Sequence, residues 1–422
     1  LYAVWLLVVA VLCLVSGCTS AASQETVLRF WAMGREGEVV LELLPDFERA
    51  HPGIRVDVQQ VPWTAAHEKL LTAFAGGVTP DVCQLGNTWI AELVALRALE
   101  PLDRYVADSS TVAAGDYFPG IWDTNVVDGT VYGVPWYVDT RLLFYRRDIL
   151  AGAGFDAPPV SWDEWARMLA AIQARARPGA SAILLPLSEF EPLVALALQQ
   201  DEPLLREDGR WGNFRSAAFR RTLDFYLQMF RRGWAPAVTG AQLSNVWTEF
   251  GRGAFAFYVS GPWNIGELKR RLPPSQQDTW MTAPLPGPHG PGASIAGGSS
   301  LVVFRASSRK PEAWRLVEYL SQPSVQSRFH ARTGDLPPRR TTWRDPALAE
   351  DPYARAFREQ LERAKPTPKV PEWERIATEM RLVAERAAHG ELSVEEAAQE
   401  LDARADRILE KRRWLLARDQ AR

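Results

Sequence analysis

The stretch from residue 27 to residue 102 most constrains what this chain can fold into, because strand-like and helix-like segments alternate there. "VLRFWA" (27–32) reads as a strand, and "EVVLELLPDFERAHPG" (38–53) as an amphipathic helix that stops at Pro52-Gly53. "IRVDVQQV" (54–61) alternates apolar and polar residues, so it is a second strand. "TAAHEKLLTAFAGG" (64–77) is a helix ending in glycines, "DVCQLG" (81–86) a short buried strand, and "TWIAELVALRALEPL" (88–102) the next helix. β-α-β-α-β predicts a parallel sheet with right-handed crossovers, and such sheets bind ligands beyond the carboxyl ends of their strands. Trp31 and residues 33–35 follow the first strand, Trp63 the second, and Asn87, Thr88 and Trp89 the third. The expectation is that three tryptophans reach one rim.

A second lobe of similar composition follows. "SWDEWARMLAAIQARA" opens with Ser161 and Glu164 at capping-box spacing. "AILLPL" (182–187) reads as a strand, with helices near 190–200 and 216–232. "GAFAFYVSGPWNIGELKRRL" (253–272) is strand, tight turn and helix, with Trp263 at the turn. Proline and glycine crowd residues 283–298, an irregular segment before "SLVVF" (300–304). The last 50 residues are helical and charged, and Ser393 and Glu396 have capping-box spacing too. Between the lobes lies "GVPWYVDTRLLFYRRDIL" (133–150), where Trp136, Tyr137 and Asp139 precede a buried run. Packing explains the leucines there, but not two large aromatics beside an acid.

The chain opens on an apolar run, Leu1 to Val15, that is short for a membrane span. "VSGC" (15–18) resembles the bacterial lipoprotein signal, in which cleavage before the cysteine leaves it lipidated. That resemblance implies residues 1–17 as signal peptide, lipid on Cys18 and a linker over 18–26, although no Lys or Arg precedes the run. Of the 3 cysteines, Cys13 leaves with the signal and Cys18 carries lipid, so Cys83 remains, as a buried thiol.

A net charge of −3 gives no basic face, so nucleic acid is not an expected partner. "HEKLL" at His67 begins like a zinc-protease helix, but Leu71 stands where the second ligand belongs. The 5 histidines have no metal-ligand spacing, and neither a G-x-S-x-G nor a phosphate-binding loop motif occurs. No metal or cofactor is expected. Paired carboxylates for glycoside hydrolysis are left open, since their roughly 5–10 Å separation is set by the fold.

Several stretches together resemble the family 1 extracellular solute-binding proteins of bacterial ABC importers, which include maltose- and multiple-sugar-binding proteins. They are "FERAHPGIRVDV", "TPDVCQLG", "VPWYVDTRLLFYRRDIL", "GRGAFAFYVSGPWNI", "APLPGP", "GGSSLVVF", "TGDLPPRR" and "VPEWERI". Arg146 replaces the usual asparagine of the signature. The resemblance implies two doubly wound α/β lobes joined by hinge strands, with the ligand in the cleft between them. It assigns 27–138 and 295–340 to the N-terminal lobe, and 139–294 and 341–422 to the C-terminal lobe. Trp136, Tyr137 and Asp139 then lie where the chain crosses the cleft. The implied partners are a sugar, an ABC permease with its ATPase and the membrane, for a monomer that is not an enzyme.

The residue chemistry fits a sugar independently. Tryptophan stacks on the weakly polar face of a pyranose, and a carboxylate accepts hydrogens from adjacent hydroxyls. Of the 17 tryptophans, Trp31, Trp63, Trp89, Trp247 and Trp263 are the candidate platforms. By the resemblance Asp139 is a sugar-binding acid, and Trp263 in "GPW" matches a stacking residue. Thr88 and Trp89 stand where maltose binders use an acid and an arginine, which implies a different sugar or pose. Asn87, Tyr137, Gly297, Gly298 and Arg340 complete the expected site, the glycines letting backbone approach the ligand. Each has a plainer reading, as core or as solvated surface. A non-sugar solute, such as a polyol phosphate or a polyamine, and a lipid-anchored carbohydrate enzyme are the alternatives.

Overall fold

The computed structural model describes residues 25–420 apart from 240, 241, 243 and 244. Cys13, Cys18 and the expected signal peptide lie outside the described residues. Alternation begins at once, with strand β1 (Thr26–Met33), helix α1 (Gly34–Ala50), β2 (Ile54–Val61), α2 (Trp63–Ala75), β3 (Val82–Gly86) and α3 (Ile90–Ala95). After shorter elements come β4 (Val134–Asp139) and β5 (Leu142–Arg146), then α4 (Trp162–Gln173), β6 (Ser181–Leu184), α5 (Glu191–Ala197) and α6 (Ala217–Arg231). Next are β7 (Phe255–Ser260), α7 (Trp263–Arg271), β8 (Trp280–Ala283), β9 (Ser294–Ile295) and β10 (Gly297–Val303). Helices α8 (Lys310–Leu320) and α9 (Pro323–Thr333), strand β11 (Ala364–Lys365) and helices α10 (Trp373–Ala388), α11 (Val394–Ile408) and α12 (Glu410–Gln420) close the chain.

Two sheets result. The first has the order β2-β1-β3-β10-β4. Its first three strands are parallel, as the alternation predicts, and β10 runs antiparallel to both β3 and β4. Both faces of its central strands are buried, while the edge strand β2 is largely exposed. Leu28, Phe30 and Ala32 pack under α1 and α8, while Trp31, Met33 and Cys83 pack under α2. The second sheet has the order β8-β5-β7-β6. Leu143 and Tyr145 of β5 meet the helical core of the second lobe, and Leu142 and Phe144 face the opposite layer. Burying one such side chain contributes about 1.5–3 kcal/mol, so these two-sided sheets are the frame on which everything else is hung.

The lobes are joined by short crossings. Thr140 and Arg141 alone separate β4, in the first sheet, from β5, in the second. The return strand lies alongside: the Thr140 hydroxyl donates to the Ile295 carbonyl at 2.8 Å, and Ser294 donates to the Arg141 carbonyl at 2.6 Å. A third segment passes at Leu336, whose carbonyl accepts from the Val138 amide at 2.9 Å.

Two local expectations change. The helix expected over 88–102 is a single 3-10 turn (Asn87–Trp89) and then α3, which ends at Ala95. Arg97 adopts a positive φ of 57°, which no helix can continue through, and Leu99 then bridges to Phe304. The capping box at Ser161 forms by half. Ser161 accepts from the Glu164 amide, but the Glu164 carboxylate turns to the Val160 amide. At Ser393 and Glu396 both halves form.

Candidate functional site

Where the crossings pass, the lobes enclose a cavity of about 500 Å³. From the first lobe come Glu36, Trp63, Asn87, Thr88, Trp89, Tyr137 and Asp139. From the second come Phe190, Glu191, Trp263 and Glu374, while Arg141, Gly297, Gly298 and Asp335 sit on or beside the crossing strands. A larger hollow of about 1020 Å³ is confined to the second lobe. Two of its aromatics, Trp162 and Phe225, are stacked flat on each other at 4.4 Å, each covering one face of the other.

The tryptophans arrive by simple local rules. Pro62 ends β2, and Trp63 is the first residue of α2. Trp89 closes the 3-10 turn after β3. The two rings meet edge to face at 5.8 Å and 61°, forming one aromatic wall. Trp263 begins α7 from the opposite lobe and keeps 37% of its surface exposed, unusual for so large an apolar side chain.

Arg141 organises the floor. Its guanidinium donates to Asp139 Oδ1 at 2.6 Å and to Glu191 Oε1 at 2.9 Å, and lies 4.8 Å from the Trp263 ring centroid. Burial works against its charge, but Asp139 and Glu191 outweigh burial and hold the proton more firmly than usual. Burial pushes the Asp139 carboxyl up, partly offset by Arg141. Behind this pair stands Glu189, pushed up to about 7 by burial, with one oxygen that has no hydrogen-bond partner. Arg141 Nε is unpaired too.

Burial also raises Glu36 and carries Asp335 up to about 8, the two acids acting on each other. Carboxyls raised in this way keep a proton to higher pH than usual, and a protonated carboxyl can donate as well as accept. Tyr137 accepts from Gln84 Nε2 at 3.3 Å and from the Ser299 hydroxyl at 3.2 Å, and its own hydroxyl bonds Glu36. Among the described residues no cluster of His, Cys, Asp and Glu could hold a metal ion.

Nine of the expected residues line this cavity: Trp63, Asn87, Thr88, Trp89, Tyr137, Asp139, Trp263, Gly297 and Gly298. Asn87 is tied to the Ala296 carbonyl at 3.1 Å. The glycines are required by β4 rather than by a ligand: a Cβ on Gly298, at φ +124°, would stand 2.3 Å from the Tyr137 carbonyl oxygen. Three residues lie elsewhere. Trp31 is within β1, not beyond it, and is packed into the core with Lys69 at 4.7 Å over its ring. Trp247 donates to Asn264 Oδ1 at 2.7 Å and is covered by Arg271. Arg340 pairs with Glu362 at 2.6 Å and donates to the Tyr117 carbonyl. Trp136 is core as well, stacked on Phe329 at 4.6 Å. Sequence reasoning missed Glu36, Arg141, Glu191, Asp335 and Glu374.

Residues 33–327 match the family model described as "Bacterial extracellular solute-binding protein". The sugar-binding protein MalE of the phytopathogen Xanthomonas citri is 60% identical, with a TM-score of 0.91 over 93% of this chain and 99% of that one. The diacetylchitobiose binding protein DasA of Streptomyces coelicolor is 23% identical over 79% of this chain and 77% of its own length. An uncharacterized lipoprotein in the oleD 5′ region of Streptomyces antibioticus is 26% identical over 87% and 84%.

Proposed function

The chain belongs to the bacterial extracellular solute-binding proteins, and on that premise we propose that its solute is a sugar, taken up in the cavity between the lobes and handed to an ABC import permease. The observation that carries this reading is the aromatic lining: Trp63 and Trp89 from one lobe and Trp263 from the other face one cavity whose floor is Asp139 and Arg141. Flat apolar faces on two sides and charge-assisted acceptors below match a pyranose. Arg141 takes one oxygen of Asp139, and the second is the acceptor left to a hydroxyl. The proton held by Glu36 and Asp335 lets that wall donate to a sugar oxygen as well. The similarity to MalE, a sugar-binding protein, and to DasA, a diacetylchitobiose binding protein, supports the same class.

Solute contacts from both lobes favour the closed form, because only closure makes all of them at once. The protein captures and releases without turnover. Lipid on Cys18 keeps it, as a monomer, near the permease and its ATPase; "VSGC" supports the anchor, as does the similarity to a lipoprotein.

One observation favours a second reading, a cationic solute such as a polyamine. Glu36, Asp139, Glu191, Asp335 and Glu374 line the cavity against the single cation Arg141. A thermal-shift panel of mono-, di- and oligosaccharides, polyamines and polyol phosphates on the chain from Ser20 onward separates the readings. A ligand at 100 times its Kd adds about 2.7 kcal/mol of stability. A sugar hit is expected, and Trp263→Ala should weaken it by about 1.5–3 kcal/mol through loss of a stacking face. A panel that answers to polyamines alone overturns the sugar reading.

A further inference from the structure

The helix that begins like a metal site and is not one, "HEKLL", places His67 directly behind the aromatic wall. His67 Nε2 and Glu92 Oε2 are 2.6 Å apart, a charge-assisted distance, and the imidazole lies 5.0 Å from the Trp89 ring at 44°. Trp89 is thus held from behind by a ring that α3 holds in turn. From the opposite lobe the first turn of α10 brings Glu374 to the same spot. Glu374 lines the cavity and accepts a hydrogen bond from the Thr88 hydroxyl, one residue before Trp89.

We propose that His67 is a positioning residue of the solute site: as imidazolium it fixes Trp89 and draws Glu374 across the cleft, so that closing the lobes takes up a proton. The inference rests on the reading of the cavity as a cleft that closes on a solute.

The charges around the ring agree in sign. Glu92 on α3, Glu374 on α10 and Glu68 on α2 itself all favour the protonated ring, the hydrogen bond to Glu92 most strongly, against burial, and its pKa stands above the ordinary histidine value. Glu374 is pushed up by burial and lowered by Thr88 and by His67, with Glu191 and Glu92 repelling it. Opening the lobes carries Glu374 away, removes one of the three acids and lowers the pKa of His67. By linkage, closure is therefore assisted while the ring is protonated, and that assistance is lost as pH rises through its raised pKa. Glu374, itself raised by burial in the closed form, shifts the balance in the same direction, so acid favours closure through both groups.

The test reads the histidine directly and needs no solute. The Cε1–H resonance of His67, assigned by its loss in His67→Gln, is titrated by NMR in the chain from Ser20 onward, in wild type, Glu374→Gln and Glu92→Gln. Glu374→Gln should lower the pKa of His67 by about half a unit or more, as expected for losing a charge a few ångströms away in a partly screened cleft. Glu92→Gln should lower it further. An unchanged pKa in Glu374→Gln overturns the proposal and leaves His67 as packing behind Trp89. An unchanged pKa in Glu92→Gln overturns it too, since the clamp itself is then absent. A failed sugar screen would leave these titrations untouched, so the two readings fail separately.

Discussion

Arg141→Met is the most informative single substitution. Arg141 is 5% exposed and is paired with both Asp139 and Glu191, so methionine removes the one cation among three acids, Glu189 being the third. Breaking a buried pair by deleting one partner costs about 3–5 kcal/mol, because the acids left behind, half-buried against the cavity, are uncompensated. The contact with Trp263 adds about 0.5–2 kcal/mol to the loss. For a domain near 200 residues each kcal/mol moves Tm by about 2–4 °C, so the first figure alone implies a fall of about 6–20 °C. The sign with pH is fixed as well. Asp139 and Glu189 already titrate above their ordinary values, and without Arg141 they go higher. A carboxyl raised in the folded state contributes stability below its unfolded pKa and loses it as pH rises through the folded one. The variant should therefore lie closest to wild type near pH 5 and fall furthest behind near pH 8. Parallel thermal melts of both proteins at the two values are the assay. A loss below about 1 kcal/mol, or the same loss at both pH values, refutes the claim that Arg141 is the charge anchor of the floor.

Other outcomes follow from the same structure. Gly298→Ala should lower both Tm and solute affinity, since its backbone sits at φ +124° and a Cβ would strike the Tyr137 carbonyl; Gly290→Ala, with open space around it, should be near neutral in the same melts. Cys83 is fully buried and burial pushes its thiol up, so in the chain from Ser20 onward it should resist iodoacetamide at pH 8 until the protein is unfolded, as mass spectrometry would show.

The architecture was legible in the sequence because period and punctuation agree. The second strand was expected over 54–61 and runs there, since apolar and polar residues alternate and Pro62 ends it. Trp31 was misplaced for a physical reason: both faces of β1 are buried, so alternation cannot say whether a strand residue meets helix or cavity. The missed acids all lie inside or beside stretches that were singled out. Asp335 is in "TGDLPPRR", Glu374 in "VPEWERI", and Glu36 directly follows residues 33–35 at the end of the first strand. An acid in one sequence is ordinarily a solvated one, and only the fold shows these sharing a cavity. Arg141 stands two residues after Asp139, and that spacing, an acid and an arginine flanking the crossing, was the available signal.

Thr140 and Arg141 are at once the joint between the sheets and, through the guanidinium, the floor of the site. Their ties to Ser294 and Ile295 make the outgoing and returning crossings behave as one ribbon. On the proposed reading of the cavity, a variant selected for a new solute by changing this floor also inherits a changed joint between the lobes. Preference among solutes and the ease of opening cannot drift independently in this lineage through these residues. Trp63, at the start of α2 on the first lobe, is a position where specificity is freer to vary alone.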